Sequence, residues 1–441
     1  MRKIVLLVSM FAIAANMVAA DHVMAATKHA PKQEVSATLN LSLQEAQDYA
    51  VAQNRSLKNA DLAVQKAYAT RWQTIASMLP SVDMSWAYQS MMGYKMNFGG
   101  MPIEMPDNGT LGITASVGIN GQAIVGALLN NTAIEMQKLN LEISEDNLRA
   151  SVKSSYASVL VLEDVVKLLG SSLKDIENLA AMTQRSVEVG AAEQTTADQI
   201  LVRVNTLKNN INANKRSTQL AINALKVLLN VPAETELTLT TQLSDMLSAE
   251  AIVTLLGKDF VLENNLSYQT LAKNVELAKK NVHMAGWAYG PTIGVGYQYS
   301  EKDYFGKKEG FNMTPPNALS VQVSMPLWSS GKRAAGVVEK KIALEEARNT
   351  FEETADNLGI QNEQLRYNLQ NAYETYTNEQ ENMGVTQRVF DNTSLKFQQG
   401  VASNLDLVNA SNDLITAQST YVQAVLTLVN AEVELEKFLN L

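Results

Sequence analysis

The residues that most often carry enzyme chemistry are scarce in this chain. It has 3 His and no Cys, which excludes thiolate nucleophiles, disulfides and Cys-ligated metals. His22 and His29 lie in the N-terminal tail, and His283 stands alone in a helical pattern. These scattered histidines form neither a Ser/His/Asp triad nor a zinc-type spacing. The sequence therefore predicts no catalytic residue, no cofactor, no bound metal ion and no enzyme activity.

Two weaker chemical signals also favour structural roles. Gly294-Val295-Gly296 resembles part of a phosphate loop, but it lies in a strand pattern with no helix after it. The many Asp and Glu residues fall on long helical patterns, where a charged face is usually solvated. The net charge of −9 leaves no basic excess to neutralise phosphates, so an electrostatic nucleic-acid binder is excluded.

The N-terminus has the pattern of a signal peptide. Arg2 and Lys3 precede an apolar run from Ile4 to Ala15, and candidate cleavage sites follow at about 20–26. We assign residues 1–25 to this signal; the alternative is a short anchor helix. Without Cys it is not a lipoprotein signal. Because no later segment reaches the ~18 apolar residues of a spanning helix, we expect the exported chain to enter a membrane only as strands.

The chain is duplicated. Pairs at a constant offset of 211 residues are Asn54 with Asn265, Val64 with Val275, Ala67 with Ala278 and Pro80 with Pro291. Farther on, Gly190 matches Gly400 at an offset of 210. Chance similarity does not keep order in this way. We therefore predict a first repeat at 26–230, a linker at 231–258 and a second repeat at 259–441.

Each repeat has the same predicted elements. A helix stops at Pro80 or Pro291, two alternating strand patterns follow around a polar loop, and a long helix then runs to a glycine and a last helix. The strands are predicted at about 81–90, 111–122, 292–301 and 318–328, and the long helices at about 127–189 and 334–399. The last helices carry sustained heptads. Long helices of roughly 95–100 Å, at 1.5 Å per residue, indicate a tall helical cylinder.

Each predicted strand is about as long as a tilted bilayer crossing. Four strands cannot close a barrel, and an open sheet edge in hydrocarbon leaves backbone groups unpaired. Other copies of the chain must then complete the sheet. Aromatic residues suited to interfacial girdles cluster near these strands: Trp86, Tyr88, Trp287, Tyr289, Tyr297, Tyr299 and Trp328. The alternative is a soluble, strand-capped coiled coil in which these aromatics form a core.

The order of elements and three strings resemble the TolC-like outer-membrane efflux proteins. The strings are SLQEAQDYAVAQNRSL from Ser42, SVQVSMPLWSSGKRAA from Ser320 and FQQGVASNLDLVNASNDLITAQSTYVQA from Phe397. The resemblance covers the chain from Leu41 to Leu441. It implies a mainly α fold with membrane β-strands, in which a homotrimer forms a 12-helix α-barrel and a 12-stranded β-barrel.

The resemblance also implies partners and a place in the cell. It implies the outer membrane of a Gram-negative bacterium, contact with outer-membrane lipid and a large periplasmic extension. A periplasmic adaptor protein and an inner-membrane pump of RND or ABC type would dock at the far end. The linker at 231–258 is similar to the small belt around the tunnel's middle in this family.

The same resemblance assigns roles to the two glycine turns. The periplasmic tip and adaptor contact would comprise Gly190, Ala191, Gly400 and Val401. The periplasmic aperture would comprise Phe397, Ala402, Asp406, Asn409 and Asp413. Of the four positions that form the gate in well-understood members, only Asp406 matches, which puts an arginine–tyrosine latch in doubt. A ring of Asp406 would favour cations; the alternative is that Asp406 only caps the last helix.

The sequence thus predicts a passive exit duct for small molecules or drugs in a tripartite efflux system. One alternative is the outer-membrane channel of a type I protein secretion system. A second is a non-conducting periplasmic coiled-coil scaffold. Nothing in the sequence shows whether the cargo is a small molecule or a polypeptide.

Overall fold

The computed structural model describes residues 38–441 except 105, 191 and 306–314. The predicted signal peptide at 1–25 lies outside the described residues, and so do His22 and His29 of the N-terminal tail. Among the helices in the described part of the chain, none is long and apolar enough to cross a membrane.

The first repeat and the linker contain the following elements in chain order. They are β1 Thr38–Leu41, α1 Leu43–Gln53, α2 Arg55–Ala76, β2 Ser81–Gln89, β3 Lys95–Phe98, β4 Met101–Glu104, β5 Asn108–Asn120, α3 Gly121–Glu188, α4 Gln194–Leu229, β6 Glu236–Leu239, α5 Leu243–Met246 and α6 Ala249–Gly257.

The second repeat follows after a 3₁₀ turn at Leu262–Asn264. Its elements are α7 Leu266–Gly286, a 3₁₀ turn Trp287–Tyr289, β7 Thr292–Tyr304, β8 Asn317–Ser324, α8 Lys332–Gln398 and α9 Asn404–Leu439.

The passage from β5 to α3 differs from the sequence prediction. The strand covers Asn108–Asn120 instead of 111–122, and the helix begins at Gly121, six residues before the predicted start. The side chain of Asn120 explains this start, because its Oδ1 accepts a hydrogen bond from the Ala123 amide at 2.8 Å. Gly121 also lies against the ring of Trp287, and a Cβ there would lie 2.1 Å from that ring.

The last strand is shorter than predicted. β8 ends at Ser324, whereas the sequence prediction carried it to residue 328. Pro326 has no N–H to donate to a ladder, so the strand ends just before it. Trp328 therefore follows the strand. β7 instead runs three residues past its predicted end, to Tyr304, paired with β5 along its whole length.

The described chain forms two compact units, one comprising Leu62–Lys138 and Thr270–Glu352, the other 38–61, Leu139–Gln269 and Glu353–Leu441. We call the first the strand unit and the second the helical unit. The strand unit contains a four-stranded antiparallel sheet in the order β2-β5-β7-β8. β2 and β8 are its edges. A separate hairpin of β3 and β4 lies between β2 and β5 in the chain.

A charge network in the strand unit joins α3 to α7. Lys273 Nζ lies 2.6 Å from Glu135 and 3.2 Å from Glu276, and Lys280 Nζ lies 2.7 Å from Glu276. Hydrogen bonds from Lys280 and Lys273 lower the pKa of Glu276 to about 2, so its carboxylate is ionised at neutral pH. The buried Thr132 hydroxyl accepts from Lys280 at 2.6 Å and donates to Glu276 at 3.3 Å.

The helical unit has a core of heptad positions. The predicted seam of α4 is confirmed for Ile200, Val204, Leu207, Ile211 and Leu225, which are all buried. In α9 the buried seam positions are Ala410, Leu414, Ala417, Ala424, Leu428, Leu435 and Phe438. Burying one such Leu fully contributes about 1.5–3 kcal/mol, so these seams contribute several kcal/mol to the stability of the unit.

Each repeat contains the same buried asparagine junction in the helical unit. Asn54 Oδ1 accepts from the Ser56 and Leu57 amides, while its Nδ2 donates to the Leu228 carbonyl at 2.8 Å. Asn265 repeats these contacts, with Nδ2 donating to the Phe438 carbonyl at 3.1 Å. One side chain thus caps the start of a short helix and holds the end of the repeat's last helix.

The junction is closed from the other side by a second asparagine. Asn230 and Asn440 end α4 and α9 in the left-handed conformation, both at φ +55°. Asn230 Nδ2 donates to the Gln53 carbonyl at 3.2 Å, and Asn440 Nδ2 donates to the Asn264 carbonyl. Asparagine suits this position because it tolerates the left-handed region and offers a side-chain donor.

The linker packs onto the helical unit through specific polar contacts. β1 and β6 form a parallel pair, and the buried Tyr156 hydroxyl donates to the Leu41 carbonyl and accepts from the Thr241 amide. At the end of α6, the Arg366 guanidinium donates to the Leu256 and Lys258 carbonyls. A cation there satisfies carbonyls that the helix leaves unpaired.

One buried charge cluster joins α3 to α9. Lys153 Nζ lies 2.8 Å from Glu432 and 2.7 Å from Glu436, and the side chains of Lys153 and Glu432 are only 13% and 7% exposed. Burial raises the pKa of Glu432, although the ammonium of Lys153 opposes this shift. Without Lys153, the buried carboxylate of Glu432 and the partly exposed carboxylate of Glu436 would lie close together with no opposing charge.

We predict that Lys153→Met lowers the free energy of unfolding by about 3–5 kcal/mol, because it leaves the buried carboxylate of Glu432 without its cation. The control is Lys208→Met, which removes the exposed 2.8 Å pair with Glu177 and should cost about 0–1 kcal/mol. Urea unfolding of the detergent-extracted protein, followed by circular dichroism, measures both variants. Equal losses for the two variants would contradict the assignment of Lys153 as a buried structural cation.

Candidate functional site: the sheet faces and the helix turns

The register of the sheet sorts its side chains onto two different faces. Paired residues of antiparallel strands point to the same face, and the ladder aligns Val82, Ala115, Tyr297 and Leu319 across all four strands. Most residues on the face formed in this way are apolar, and we call it the apolar face: Val82, Met84, Trp86 and Tyr88; Leu111, Ile113, Ala115, Val117 and Ile119; Ile293, Val295, Tyr297 and Tyr299; and Leu319, Val321 and Val323. At the end of the sheet away from α3, the register also places Gly109, Glu301, Asp303 and Asn317 on this face.

The opposite face is polar and built of small side chains. One of its rows is Ser81, Ser116, Gly296 and Ser320. Its other members include Asp83, Ser85, Thr110, Gly112, Thr114, Gln298, Ser300, Gln322 and Ser324. The Gly294-Val295-Gly296 string is therefore part of a strand, and its glycines lie on this polar face.

No described residue covers most of the apolar face. Trp86 is 67% exposed and Val323 66%, and every residue of β2 and β8 is exposed. A contiguous apolar surface of this kind marks a site that contacts lipid or another protein. Among the described residues, the edge strands β2 and β8 each have one neighbour in the sheet and one open side.

The aromatic residues near one end of the sheet have polar partners for their hydroxyl groups. Tyr88 donates to Asp107 at 2.8 Å, Tyr297 to Asn317 at 2.6 Å and Tyr299 to Glu301 at 3.2 Å. Trp86 lies near this end too: its ring is next to Gly109, the residue that pairs with Tyr88. Amphipathic rings with one polar tip suit a boundary between hydrocarbon and water.

The remaining predicted aromatics lie near the end of the sheet that meets the helices. Trp287 packs on Gly121, and the guanidinium of Arg333 lies 5.0 Å above the ring of Tyr289. Arg333 also donates to the Pro326 carbonyl at 2.6 Å, which fixes the chain between β8 and α8. Trp328, in that connection, is 86% exposed.

The two glycine turns have the same backbone form. Gly190 and Gly400 have φ of +76° and +73°, which favours glycine, and each ends a long helix. The Val401 and Ala402 amides both donate to the Lys396 carbonyl, at 2.9 and 3.3 Å. Ala191 lies outside the described residues.

Asp406 forms a capping box with Ser403. The Asp406 amide donates to Ser403 Oγ at 3.2 Å, and Asp406 Oδ2 accepts from the Ser403 amide at 2.9 Å and its hydroxyl at 2.7 Å. The hydrogen bond from the Ser403 side chain lowers the pKa of Asp406, so it is ionised at neutral pH. The first turn lacks this device, because Glu193 at the start of α4 makes no side-chain cap hydrogen bond.

The other predicted aperture residues differ in their surroundings. Phe397 is partly buried and packs against the core cluster of the helical unit. Asn409 and Asp413 are exposed, and Ala402 is half-buried. A groove of about 600 Å³ joins the two turns, with Ser186, Glu193 and Thr196 on one side and Phe397, Gly400 and Ala402 on the other.

Sequence reasoning raised helix capping as an alternative role for Asp406 but did not name its partner Ser403, although the Ser-x-x-Asp spacing was a readable signal. It missed two further features. The hairpin of β3 and β4 had a readable signal in Gly99-Gly100 between short apolar runs. The paired asparagine junctions had only the match of Asn54 with Asn265, which does not reveal a contact with the end of a distant helix.

Comparison with known proteins decides the family. The sequence profile of the family described as outer membrane efflux protein matches this chain twice, over residues 47–231 and 259–441. The chain belongs to the outer membrane efflux protein family. It is thus related to channel proteins, not to enzymes, and in the described part of the chain no group of His, Cys, Asp and Glu is arranged to hold a metal ion.

Among curated members of the family, two relatives are similar to this chain. "Outer membrane efflux protein BepC" of Brucella suis biovar 1 is 22% identical over 301 residues, which cover 66% of this chain and 63% of BepC, less than two thirds of that protein. "Toxin and drug export protein A" of Aggregatibacter actinomycetemcomitans is 20% identical over 391 residues, covering 87% of this chain and 82% of that protein.

Solved structures show the same fold. CusC has a TM-score of 0.75 at 16% identity, covering 94% of this chain and 95% of its own. The outer membrane protein VceC of Vibrio cholerae has a TM-score of 0.73 at 15% identity, covering 90% of this chain and 95% of its own. The predicted fold class, mainly helical with a duplicated helix–strand–strand–helix unit, is confirmed.

Proposed function

We propose that three copies of this chain form the outer-membrane exit channel of a tripartite efflux system in a Gram-negative bacterium. In this proposal residues 26–230 and 259–441 are its two repeats, and the protein is not a lipoprotein. The channel is passive. Small molecules or drugs pass through it, an inner-membrane pump of RND or ABC type supplies the energy, and a periplasmic adaptor contacts the tips at Gly190 and Gly400.

The two-faced sheet with two open edges is the observation that carries this proposal. Its apolar face suits hydrocarbon and its face of Ser, Thr, Gly and Gln suits water. The open sides of β2 and β8 need hydrogen-bond partners in a bilayer, because each unpaired backbone group there costs several kcal/mol. Three copies would supply twelve strands and join β8 of one chain to β2 of the next in a closed barrel.

The structure and the comparisons support the two alternative functions to different degrees. A non-conducting periplasmic scaffold would leave the apolar face of the sheet in water, which this geometry disfavours. Secretion of polypeptides by a type I system stays a second candidate, because one relative bears the name toxin and drug export protein. Export of a labelled drug, compared with a labelled polypeptide, in cells carrying the partner pump would separate the two cargoes.

Cysteine cross-linking tests the assembly, and the chain has no Cys of its own. A panel that combines Ser81→Cys or Ser85→Cys on β2 with Ser320→Cys or Ser324→Cys on β8 is treated with a bismaleimide in membranes. We expect covalent dimers and trimers, with the ladder ending at three. The control pair Thr114→Cys and Gln298→Cys lies on paired positions of one chain and should give no ladder. A panel without intermolecular products, or a ladder ending at two or four, would refute the trimer.

We propose that Asp406 also lines the aperture, where symmetry would repeat its charge around the opening. Asp406→Asn should weaken block by a trivalent hexammine cation about fivefold, since a contact between unit charges in water is worth on the order of 1 kcal/mol. Ser403→Ala is the matched control, because it breaks the capping box and keeps the charge. If Ser403→Ala weakens the block as much as Asp406→Asn does, Asp406 acts only as a helix cap.

A further inference from the structure

The hairpin between β2 and β5 is unusually rich in methionine. The segment MMGYKMNFGGMPIEM, residues 91–105, holds five of the 18 Met of the chain. The described ones are Met91, Met92, Met96 and Met101. Such a density of methionines has no counterpart elsewhere in the sequence.

The backbone sets two of these residues side by side. β3 and β4 pair antiparallel with Met96 opposite Ile103 and Phe98 opposite Met101. Met96 and Met101 therefore share one face of the hairpin as diagonal neighbours, a spacing that long side chains can bridge. Gly99 and Gly100, at φ +59° and +89°, form a two-residue turn that fixes this register.

Three described methionines of this segment are exposed. Met92 is 95% exposed, Met101 73% and Met96 42%. Met92 lies four residues before Met96, in a turn closed by the Tyr94 amide donating to the Met91 carbonyl at 2.9 Å. Methionine is normally a filler of apolar cores. Three exposed thioethers within ten residues, 92–101, therefore offer a concentration of free sulfur donors.

The available donor atoms point to a soft metal ion. Thioether sulfur prefers Cu(I) and similar soft cations and discriminates against Mg²⁺, Ca²⁺ and other hard ones. Among nearby carboxylates, Asp107 is already engaged, accepting from the Tyr88 hydroxyl at 2.8 Å and the Met91 amide at 3.2 Å. The chain has no Cys to compete for such an ion.

We propose that this hairpin binds one soft monovalent cation, Cu(I) or Ag(I), through the sulfur atoms of Met92, Met96 and Met101. The hairpin connects β2 to β5 at the end of the sheet away from α3. Its location at the outer mouth of the channel rests on the proposed function, whereas the binding of the ion rests only on the hairpin itself.

Silver binding to the purified, detergent-extracted protein tests the site, because Ag(I) needs no reductant. In chloride-free buffer, metal analysis after gel filtration should find one Ag(I) per chain. The triple variant Met92→Leu, Met96→Leu and Met101→Leu should bind at least tenfold less tightly. Methyl NMR of labelled methionine should show shifts confined to the hairpin residues.

The matched control replaces three methionines of comparable exposure outside the hairpin: Met84→Leu, Met182→Leu and Met325→Leu, which are 65%, 43% and 59% exposed. This variant should keep its Ag(I). Equal retention by both variants, equal loss in both, or no binding to the native protein would each overturn the proposed site. Bilayer conductance of the hairpin variant should be unchanged, so a failure of this site and a failure of the channel proposal are distinguishable.

Discussion

The assembly of this protein depends on the backbone hydrogen-bonding groups along the outer sides of its two edge strands, β2 and β8. β2 and β8 each pair on one side only, and both carry an exposed apolar row that water does not favour. In hydrocarbon those open sides would be costly, since no water is present to satisfy them. In a bilayer, a single chain would therefore leave the outer backbone groups of β2 and β8 without hydrogen-bond partners. Further strands must supply these partners, and identical copies of the chain are their simplest source.

The asparagine junctions hold the start of one helix against the end of another in each repeat. Asn54 and Asn265 begin one helix while holding the end of another, and Asn230 and Asn440 return the contact. Each junction satisfies helix-terminal groups that would otherwise be left unpaired among apolar seams. Because both repeats keep the same four contacts, they place their helix pairs in the same way in the helical unit.

Much of the fold was readable from periodicity. The switch from helical spacing to alternation after Pro80 and Pro291 located the strands, and the four-and-three spacing in α4 and α9 located buried seams. The predicted bounds of α3 and β8 were wrong where individual residues start a helix or end a strand against the periodicity. Asn120 and Gly121 start a helix early through a cap and a close aromatic contact, and Pro326 ends a strand that alternation alone would extend.

The sites were harder to predict than the fold. The aromatic residues lie in or beside the sheet, and their place at a membrane interface stays a prediction. Of the predicted aperture residues, Phe397 packs on the core cluster, and Asp406 pairs with Ser403 in a cap. A single sequence shows which residue types occupy a turn. It does not show which side chain faces a neighbouring helix, because that depends on contacts between segments far apart in the chain.

The central claim is that copies of this chain enclose a water-filled passage through a membrane. The most direct measurement is single-channel recording of the purified protein in planar lipid bilayers. The account predicts discrete conductance steps of uniform size from a species that needs detergent to stay in solution. The absence of conductance at every voltage and pH tested, from a protein that stays soluble without detergent, would contradict it.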